Sequence, residues 1–350
     1  MMTRRENLIL GAYTALALFT GQTRGLMGQA QERTSNRTLI PDARWNCGME
    51  SGIPSPESSI LAFEIEIPLD RAADIGKTPY GRRRIAVGKE GSVKGAKLTA
   101  TVMPGALDYE LVLANGGIEI EEMIVLRSQD GSYIYIHNAG VGPNAGDVRV
   151  AVDIEAPNAG ANASLNTGRY LARRELNASD MKLSLRVYDV ANSAVDAASA
   201  IKIVKPEGVP AQPWDYRRKG ATEKQGETLV RENVTLGRSE TVGASKRGIR
   251  NIVPITGGEL SGQITGKVLM GGADYQHLSP PAIIDARYLW QPADGEVIMV
   301  RNAGPFGALV PTFEARVDGP YAFLNKGLYL SSNPGMGQGG VGLTLYKSID

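Results

Sequence analysis

Hydrophobic and polar residues alternate with a period of two along most of the chain, the pattern of β-strands that bury one face. The clearest runs of this kind cover residues 98–102, 119–127, 133–137, 263–270, 283–290 and 297–302. Asp130-Gly131 and Asp294-Gly295 lie between pairs of these runs, and such dipeptides are a strong hairpin signal. Only residues 191–201, rich in Ala and Asp, suggest a helix. The pattern therefore predicts a mainly antiparallel, all-β protein.

The chain contains an internal repeat of about 125 residues, which defines its folding unit. Matching blocks occur in the same order in the two copies: residues 81–95 with 248–262, 105–109 with 272–275, 130–140 with 294–304, and 165–171 with 324–330. Because order and spacing agree across several blocks, we interpret the repeat as a duplication that produced two domains of one kind.

Each copy holds about eight to ten short strands, and an open sheet of that size leaves unpaired edges. Closure into a barrel removes the edges, and a two-sheet sandwich is the alternative. The predicted fold is therefore two tandem antiparallel β-barrels of about 8–10 strands each, with little helix. The predicted domains are an export signal at residues 1–30, an N-terminal barrel at 58–200, a linker at 201–226 and a C-terminal barrel at 227–350.

The first thirty residues have the pattern of an export signal. Arg4 and Arg5 precede an apolar run at residues 8–21, and small residues stand at positions 28 and 30. The run is shorter than the roughly 20 residues that span a bilayer, so a short buried helix or an uncleaved tether is the alternative. Residues 3–8 resemble the bacterial twin-arginine motif. We therefore expect export to the bacterial periplasm or secretion.

Composition excludes several classes of protein. Lys and Arg number 38 against 37 Asp and Glu, and this balance gives no long-range attraction to nucleic acid. One Cys and two His cannot build a disulfide framework or a Cys/His zinc site. We predict no metal, no cofactor, no nucleic-acid partner and no stable membrane insertion after signal removal. The expected partner is a small-molecule ligand, and the sequence leaves a homo-oligomer open.

Candidate catalytic residues lie in the second copy. Alternation places Asp285 and Arg287 on one face of a strand and Tyr288 on the other. If the charged face lines the barrel, Asp285 or Glu314 is the general base, with a pKa raised by desolvation, and Arg301 or Tyr288 stabilises the developing oxyanion. The alternative is a solvated outer face with weak surface ion pairs.

Six further residues are candidates for substrate binding. Asp274 follows two glycines, where Asp also forms turns, and His277 stands two residues beyond Tyr275 on the same strand face. The full set is Asp274, His277, Arg287, Phe313, Phe323 and Asn325. The glycine-rich residues 337–342 satisfy a dinucleotide-binding pattern literally, but no helix follows them, and we interpret them as a loop.

Short motifs in the second copy carry a family likeness. They include Gly-Gly-Ala-Asp-Tyr at residues 271–275, Asp-Ala-Arg-Tyr at 285–288, Phe-Glu at 313–314 and Tyr-x-Phe-Leu-Asn at 321–325. Residues 229–349 resemble the DUF3237 (UPF0311) family. The first copy resembles it less, because it lacks counterparts of Arg287, Tyr288 and the Phe313-Glu314 pair. The resemblance implies a β-barrel with a cavity for a small molecule, and some relatives are cofactor-independent catalysts of addition or elimination on conjugated molecules.

Three functions are compatible with the sequence. The first is a cofactor-independent acid/base catalyst, a lyase, isomerase or cyclising enzyme, acting on a small apolar or phenolic molecule in the C-terminal barrel. The second is a non-enzymatic carrier of the cell envelope. The third is a structural envelope protein. A cavity with a carboxylate within reach of Arg or Tyr favours the first, an all-apolar cavity the second, and a filled barrel the third.

Overall fold

A computed structural model describes residues 52–203, 206–209, 217–337 and 340–349. The predicted export signal lies outside these residues. Strands predominate, as predicted, and the described residues contain no α-helix, only short 3-10 turns at Ala163–Asn166, Ala197–Ser199 and Ala322–Asn325. The helix predicted at residues 191–201 is wrong, since the segment contains a turn at 191–192 and a short 3-10 turn at Ala197–Ser199 but no α-helix. Isolated helices this short are marginal in water.

Contacts divide the chain into two compact units. The first unit holds ten strands: β1 Ile60–Lys77, β2 Arg82–Gly88, β3 Gly91–Lys94, β4 Ala100–Val102, β5 Leu107–Val112, β6 Ile118–Ser128, β7 Tyr133–Gly142, β8 Val148–Glu155, β9 Tyr170–Asn177 and β10 Lys182–Asp189. An antiparallel ladder runs from β1 through β10, β9, β8, β7, β6, β4 and β3 back to β1. This circuit is a closed eight-stranded barrel, as predicted. Strands β2 and β5 complete the wall between β1 and β6.

The second unit repeats this order with eleven strands: β11 Lys224–Leu236, β12 Glu240–Ser245, β13 Gly248–Gly262, β14 Gly266–Val268, β15 Ala273–His277, β16 Ile283–Pro292, β17 Ile298–Pro305, β18 Val310–Glu314, β19 Tyr329–Ser331, β20 Gly335–Gly337 and β21 Gly340–Ile349. The ladder order is β18, β17, β16, β14, β13, β11, β21 and β19, with β15 bridging β13 and β16. At the ends of the ladder, Ser331 N–H donates to Leu309 O at 3.1 Å. The second sheet thus curls until its ends meet at this hydrogen bond, and we call it the second barrel.

Both predicted hairpins are present. Asp130-Gly131 joins β6 to β7, and Asp294-Gly295 joins β16 to β17. In each unit the inward residues of the strands form one apolar core, with Phe63 and Tyr170 in the first and Trp290 and Phe313 in the second. The alternation of apolar and polar residues along the strands therefore places one apolar face inside each barrel.

Glycines shared by the two copies mark a close backbone approach. A Cβ on Gly91 would lie 2.3 Å from the carbonyl oxygen of Glu66, and one on Gly258 would lie 2.4 Å from that of Asn233. Gly258 also has a φ of +152°, which L side chains rarely adopt. The repeated glycines are thus required where two paired strands of the barrel wall approach closely.

Among the described residues, no helix is long and apolar enough to cross a membrane.

Candidate functional site

A small cavity of about 30 Å³ opens inside the second barrel, and its atom-free space reaches about 390 Å³ only when the open solvent at its mouth is counted. Most of its lining is aliphatic. Three polar residues interrupt this lining: Asp274 from β15, Tyr288 from β16 and Asn302 from β17. The cavity is therefore an apolar space with a few convergent polar groups, the usual composition of a small-molecule site.

The polar residues converge because three strands are in register. Ala286 of β16 is the cross-strand partner of Asp274 on one side and of Asn302 on the other. Cross-strand partners point to the same face of a sheet, so the three side chains form one row inside the barrel. Because the middle residue is alanine, space remains between the carboxylate and the amide. We call Asp274, Ala286 and Asn302 the polar row.

Behind the cavity wall, Tyr288 is bonded to a buried carboxyl group. Its hydroxyl donates to Glu232 at 2.9 and 3.1 Å from the two carboxyl oxygens. Glu232 is 3% exposed and stands on β11 between the core residues Val230 and Val234. Burial raises the pKa of Glu232 to about 7, against the lowering effect of the Tyr288 hydrogen bond. Near neutral pH this pair can therefore release or take up a proton.

Asp274 is held by a chain of buried amides. Gln276 donates from Nε2 to Asp274 Oδ2 at 2.6 Å, and Asn251 donates from Nδ2 to Gln276 Oε1 at 2.8 Å. Asn251 in turn accepts from the Thr241 hydroxyl at 2.6 Å. These contacts fix the direction of the carboxylate at the edge of the cavity.

Asn302, which lines the cavity, carries a buried acceptor. Its Nδ2 donates to Ser331 Oγ at 3.0 Å, whereas its Oδ1 is buried and has no hydrogen-bond partner among the described residues. Buried polar atoms in native proteins almost always have partners. The polar row therefore offers this oxygen to a donor on a bound molecule.

The predicted base Asp285 lies on the other face of the sheet. Alternation along β16 places Ala286, Tyr288 and Trp290 inside the barrel, so Asp285 and Arg287 point away from the cavity. Arg301 binds Asp285 at 2.7 and 2.8 Å, and Arg287 binds it at 3.2 Å. Although burial acts to raise it, the two guanidiniums hold the pKa of Asp285 well below its usual value. The structure therefore does not bring Asp285, Arg287 or Arg301 to the cavity, where the sequence analysis expected them.

Four other predicted site residues also lie away from the cavity. Glu314 points opposite to Phe313, which belongs to the core, and His277 points opposite to Asp274 and Gln276. Phe313 packs on Trp290 and Tyr329 with ring centroids 5.0 and 5.1 Å apart. Phe323 is 45% exposed in a 3-10 turn. Of the ten predicted residues, only Asp274 and Tyr288 line the cavity.

Asn325, predicted to bind substrate, holds the backbone instead. Its amide accepts from Ala315 N–H and donates to Ala315 O, both at 2.8 Å. Asn166 makes the same pair of bonds to Ala156 in the first barrel, at 2.8 Å each. The shared Leu-Asn sequence is therefore a structural feature of the repeat.

Replacing Asn325 with alanine is expected to lower the free energy of unfolding by about 1–3 kcal/mol, because two backbone groups lose their partners. Urea denaturation measures this loss. Asn325→Asp keeps the acceptor and loses the donor, so its free energy of unfolding should lie between those of Asn325→Ala and the wild type. Unchanged stability together with lost ligand binding would restore the binding role.

The first barrel fills the equivalent position with its own side chains. Asp108, Glu122 and Asn138 are cross-strand partners in the same order as the polar row, with Glu122 where the second barrel has Ala286. Arg174 of β9 reaches into this row and binds Asp108 at 2.6 and 2.7 Å and Glu110 at 2.9 Å. We call Asp108, Glu110, Glu122 and Arg174 the buried charge cluster.

Sequence reasoning missed Glu232, Gln276 and the buried charge cluster. The signal was a polar residue interrupting an inward apolar row: Glu232 between Val230 and Val234, and Glu122 between Ile120 and Ile124. Within the described residues, no group of three or more His, Cys, Asp or Glu side chains is placed to hold a metal ion.

Sequence comparison agrees with the repeat. The family described as "Protein of unknown function (DUF3237)" matches residues 57–162 and 225–308, which together exceed half of the chain. The chain belongs to the DUF3237 family. One match falls in each barrel, so the DUF3237 domain is present in two tandem copies.

Curated DUF3237 relatives carry the name UPF0311. One from Bradyrhizobium diazoefficiens is 45% identical over 71 residues, which are 20% of this chain and 47% of the relative. One from Clostridium acetobutylicum is 34% identical over 80 residues, 23% of this chain and 51% of the relative. The chain spans about half the length of the curated relatives it matches.

Three solved structures illustrate the similarity, and each of them matches less than half of this chain. A Rhodopseudomonas palustris protein of unknown function has a TM-score of 0.33 and 22% identity, covering 37% of this chain and 95% of its own. A β-barrel-like protein from Acinetobacter baumannii has a TM-score of 0.32 and 25% identity, covering 37% and 99%. An enzyme from Penicillium herquei has a TM-score of 0.28 and 18% identity, covering 39% and 96%.

Proposed function

We propose that the second barrel is a cofactor-independent acid/base catalyst, a lyase, isomerase or cyclising enzyme, that acts on a small, mainly apolar or phenolic molecule. The observation that carries the proposal is the meeting of Asp274, Asn302 and the Tyr288–Glu232 pair around an otherwise aliphatic cavity. Tyr288 is one of the residues predicted to be catalytic, and its carboxyl partner is Glu232 rather than Asp285 or Glu314.

Each polar group has a role in this proposal. Asp274, held by Gln276, accepts a proton from a hydroxyl or an acidic C–H of the substrate. In a cyclising addition, the resulting oxygen attacks a conjugated carbon of the same molecule. Tyr288 then donates its proton to the neighbouring carbon and takes one from protonated Glu232. Exchange with water returns Asp274 and Glu232 to their starting protonation states, so no cofactor is consumed.

Proton transfer can be tested before the product is known. Small molecules that co-purify with the full-length protein are identified by mass spectrometry and returned to it in deuterium oxide. We expect incorporation of carbon-bound deuterium, and a loss of about 100-fold or more in its rate for Asp274→Asn. Asp285→Asn is the matched control, an acid on the opposite face of the same sheet, and should keep the rate. Full activity of Asp274→Asn would refute the proposal.

The aliphatic majority of the lining favours a second candidate, a carrier that binds the same class of molecule without chemistry. A carrier predicts that the co-purifying compound binds with equal affinity to the wild type and to Asp274→Asn. It also predicts no deuterium incorporation in either protein. The two measurements together therefore separate the candidates.

A further inference from the structure

The two barrels treat one position differently. In the first barrel the row Asp108, Glu122 and Asn138 receives the guanidinium of Arg174. In the second barrel the counterpart of Arg174 is Asn333, an exposed residue whose Oδ1 accepts from Gly307 N–H at 2.7 Å. Among the described residues, Asn333 thus brings no guanidinium to the second row, where Arg174 supplies several hydrogen-bond donors to the first.

The cavity of the second barrel presents acceptors at its polar row. Asn302 Oδ1 is buried without a partner in the described part of the chain, and Asp274 supplies carboxylate oxygens beside it. No Lys, Arg or His is among the described residues that line the cavity. A carboxylate or phosphate would therefore meet acceptors and no cation.

The number of carboxyl groups around each row indicates whether its ligand is a neutral hydrogen-bond donor or a cation. The first barrel surrounds the single guanidinium of Arg174 with three carboxyl groups, those of Asp108, Glu110 and Glu122. The second row has one carboxylate, and Gln276 already donates to it. Burying a cation is costly unless it is fully paired, so this row is poorly equipped for an ammonium group.

From these contrasts we infer that the second barrel selects uncharged molecules whose polar end donates hydrogen bonds, a hydroxyl head on an apolar body, bound across the polar row where Arg174 lies in the first barrel. The inference rests on the proposed site but concerns its specificity. It holds for a carrier as well as for a catalyst.

Four probes of similar size test the inference on the full-length protein: phenol, anisole, benzoate and benzylamine, titrated by ¹H–¹⁵N NMR. We expect phenol to bind at least ten-fold more tightly than anisole, which has no donor, and more tightly than the anion or the cation. Equal binding of phenol and anisole, or tighter binding of benzoate or benzylamine, would overturn the inference. Because this series uses the unaltered protein, it does not depend on whether a variant folds.

Variants locate the selectivity. Asn302→Leu should reduce the preference for phenol over anisole to less than three-fold, while Asp285→Asn on the opposite face keeps it. If Asn302→Leu does not fold, Asn302→Ser, which is smaller and still polar, should weaken phenol binding without affecting anisole. A preference that persists in both Asn302 variants places the acceptor elsewhere and contradicts the assignment. The probe series tests selectivity and the deuterium experiment tests catalysis, so a negative result in one does not decide the other.

Discussion

Replacing Arg174 with methionine is expected to destabilise the first barrel by about 3–5 kcal/mol, the usual cost of removing one partner from a buried ion pair. Arg174 is the cation that lies within 4 Å of both Asp108 and Glu122, whereas Arg84 lies 3.1 Å from Glu110 and 4.0 Å from Asp74. Without the guanidinium, carboxyl groups less than 5% exposed would remain inside an apolar barrel with little compensation. Urea denaturation measures the loss, and hydrogen exchange in residues 107–128 assigns it to the first barrel.

The neighbouring arginine is a matched control. Arg173 points outward and pairs with Glu57 and Asp147 near the surface. Arg173→Met should cost about 1 kcal/mol or less, as exposed ion pairs usually do. Combining Arg174→Met with Asp108→Asn and Glu110→Gln should recover much of the stability, because the uncompensated charges are removed with their partner. A loss below about 1 kcal/mol for Arg174→Met alone would show that the cluster is solvated.

A proton on Glu122 would balance the charge of the cluster. Glu122 is fully buried, and this burial and the neighbouring Asp108 raise its pKa well above the usual value, against the opposing effect of Arg174. Asn138 Nδ2 donates to Glu122 Oε2 at 2.7 Å. A protonated Glu122 leaves Asp108 and Glu110 to be neutralised by Arg174 and Arg84. The first barrel is therefore filled and internally paired, in contrast to the open row of the second.

The fold was predictable because its determinants are local or repeated. A period of two along each strand, Asp-Gly turns and the duplicated blocks each report on a few neighbouring residues. The helix prediction at residues 191–201 failed because composition alone supported it, with no apolar face to pack. Barrel closure followed from the need to pair sheet edges, which is a general property of strands.

The site was only partly predictable, since alternation separates two faces without saying which one is inside. Arg287, Tyr288 and Leu289 are all buried, and Ala286 is partly buried, so burial does not distinguish the two faces of β16. The large rings of Tyr288 and Trp290 take the interior, whereas Asp285 and its arginines satisfy one another on the other face. Glu232 comes from a strand more than fifty residues earlier, and only the folded barrel brings it to Tyr288.

The unfolding free energy of the second barrel is expected to fall as the pH rises from about 4.5 to 7. Glu232 has a pKa of about 7 when folded and an ordinary value of 4.5, so within this window the folded protein holds a proton that the unfolded chain releases. The stabilisation is complete below pH 4.5 and is lost as the pH rises through 7, a loss of about 3 kcal/mol. Groups with lowered pKa values, such as Glu223 at about 2, make stability rise with pH, but they do so below pH 4.5 and therefore outside this window.

Comparison with Glu232→Gln isolates this contribution. The buried Glu240, whose pKa burial also raises to about 7, contributes in the same direction and is present in both proteins. Urea denaturation between pH 5 and 8 should therefore give a wild-type curve that falls more steeply than that of Glu232→Gln, by about 3 kcal/mol at most. In Tyr288→Phe the carboxylate loses its donor, so the pKa of Glu232 should rise further and the fall should extend above pH 7. Parallel curves for the wild type and Glu232→Gln would mean that Glu232 stays ionised in the barrel, and it would then be unable to supply the proton that the proposed reaction requires.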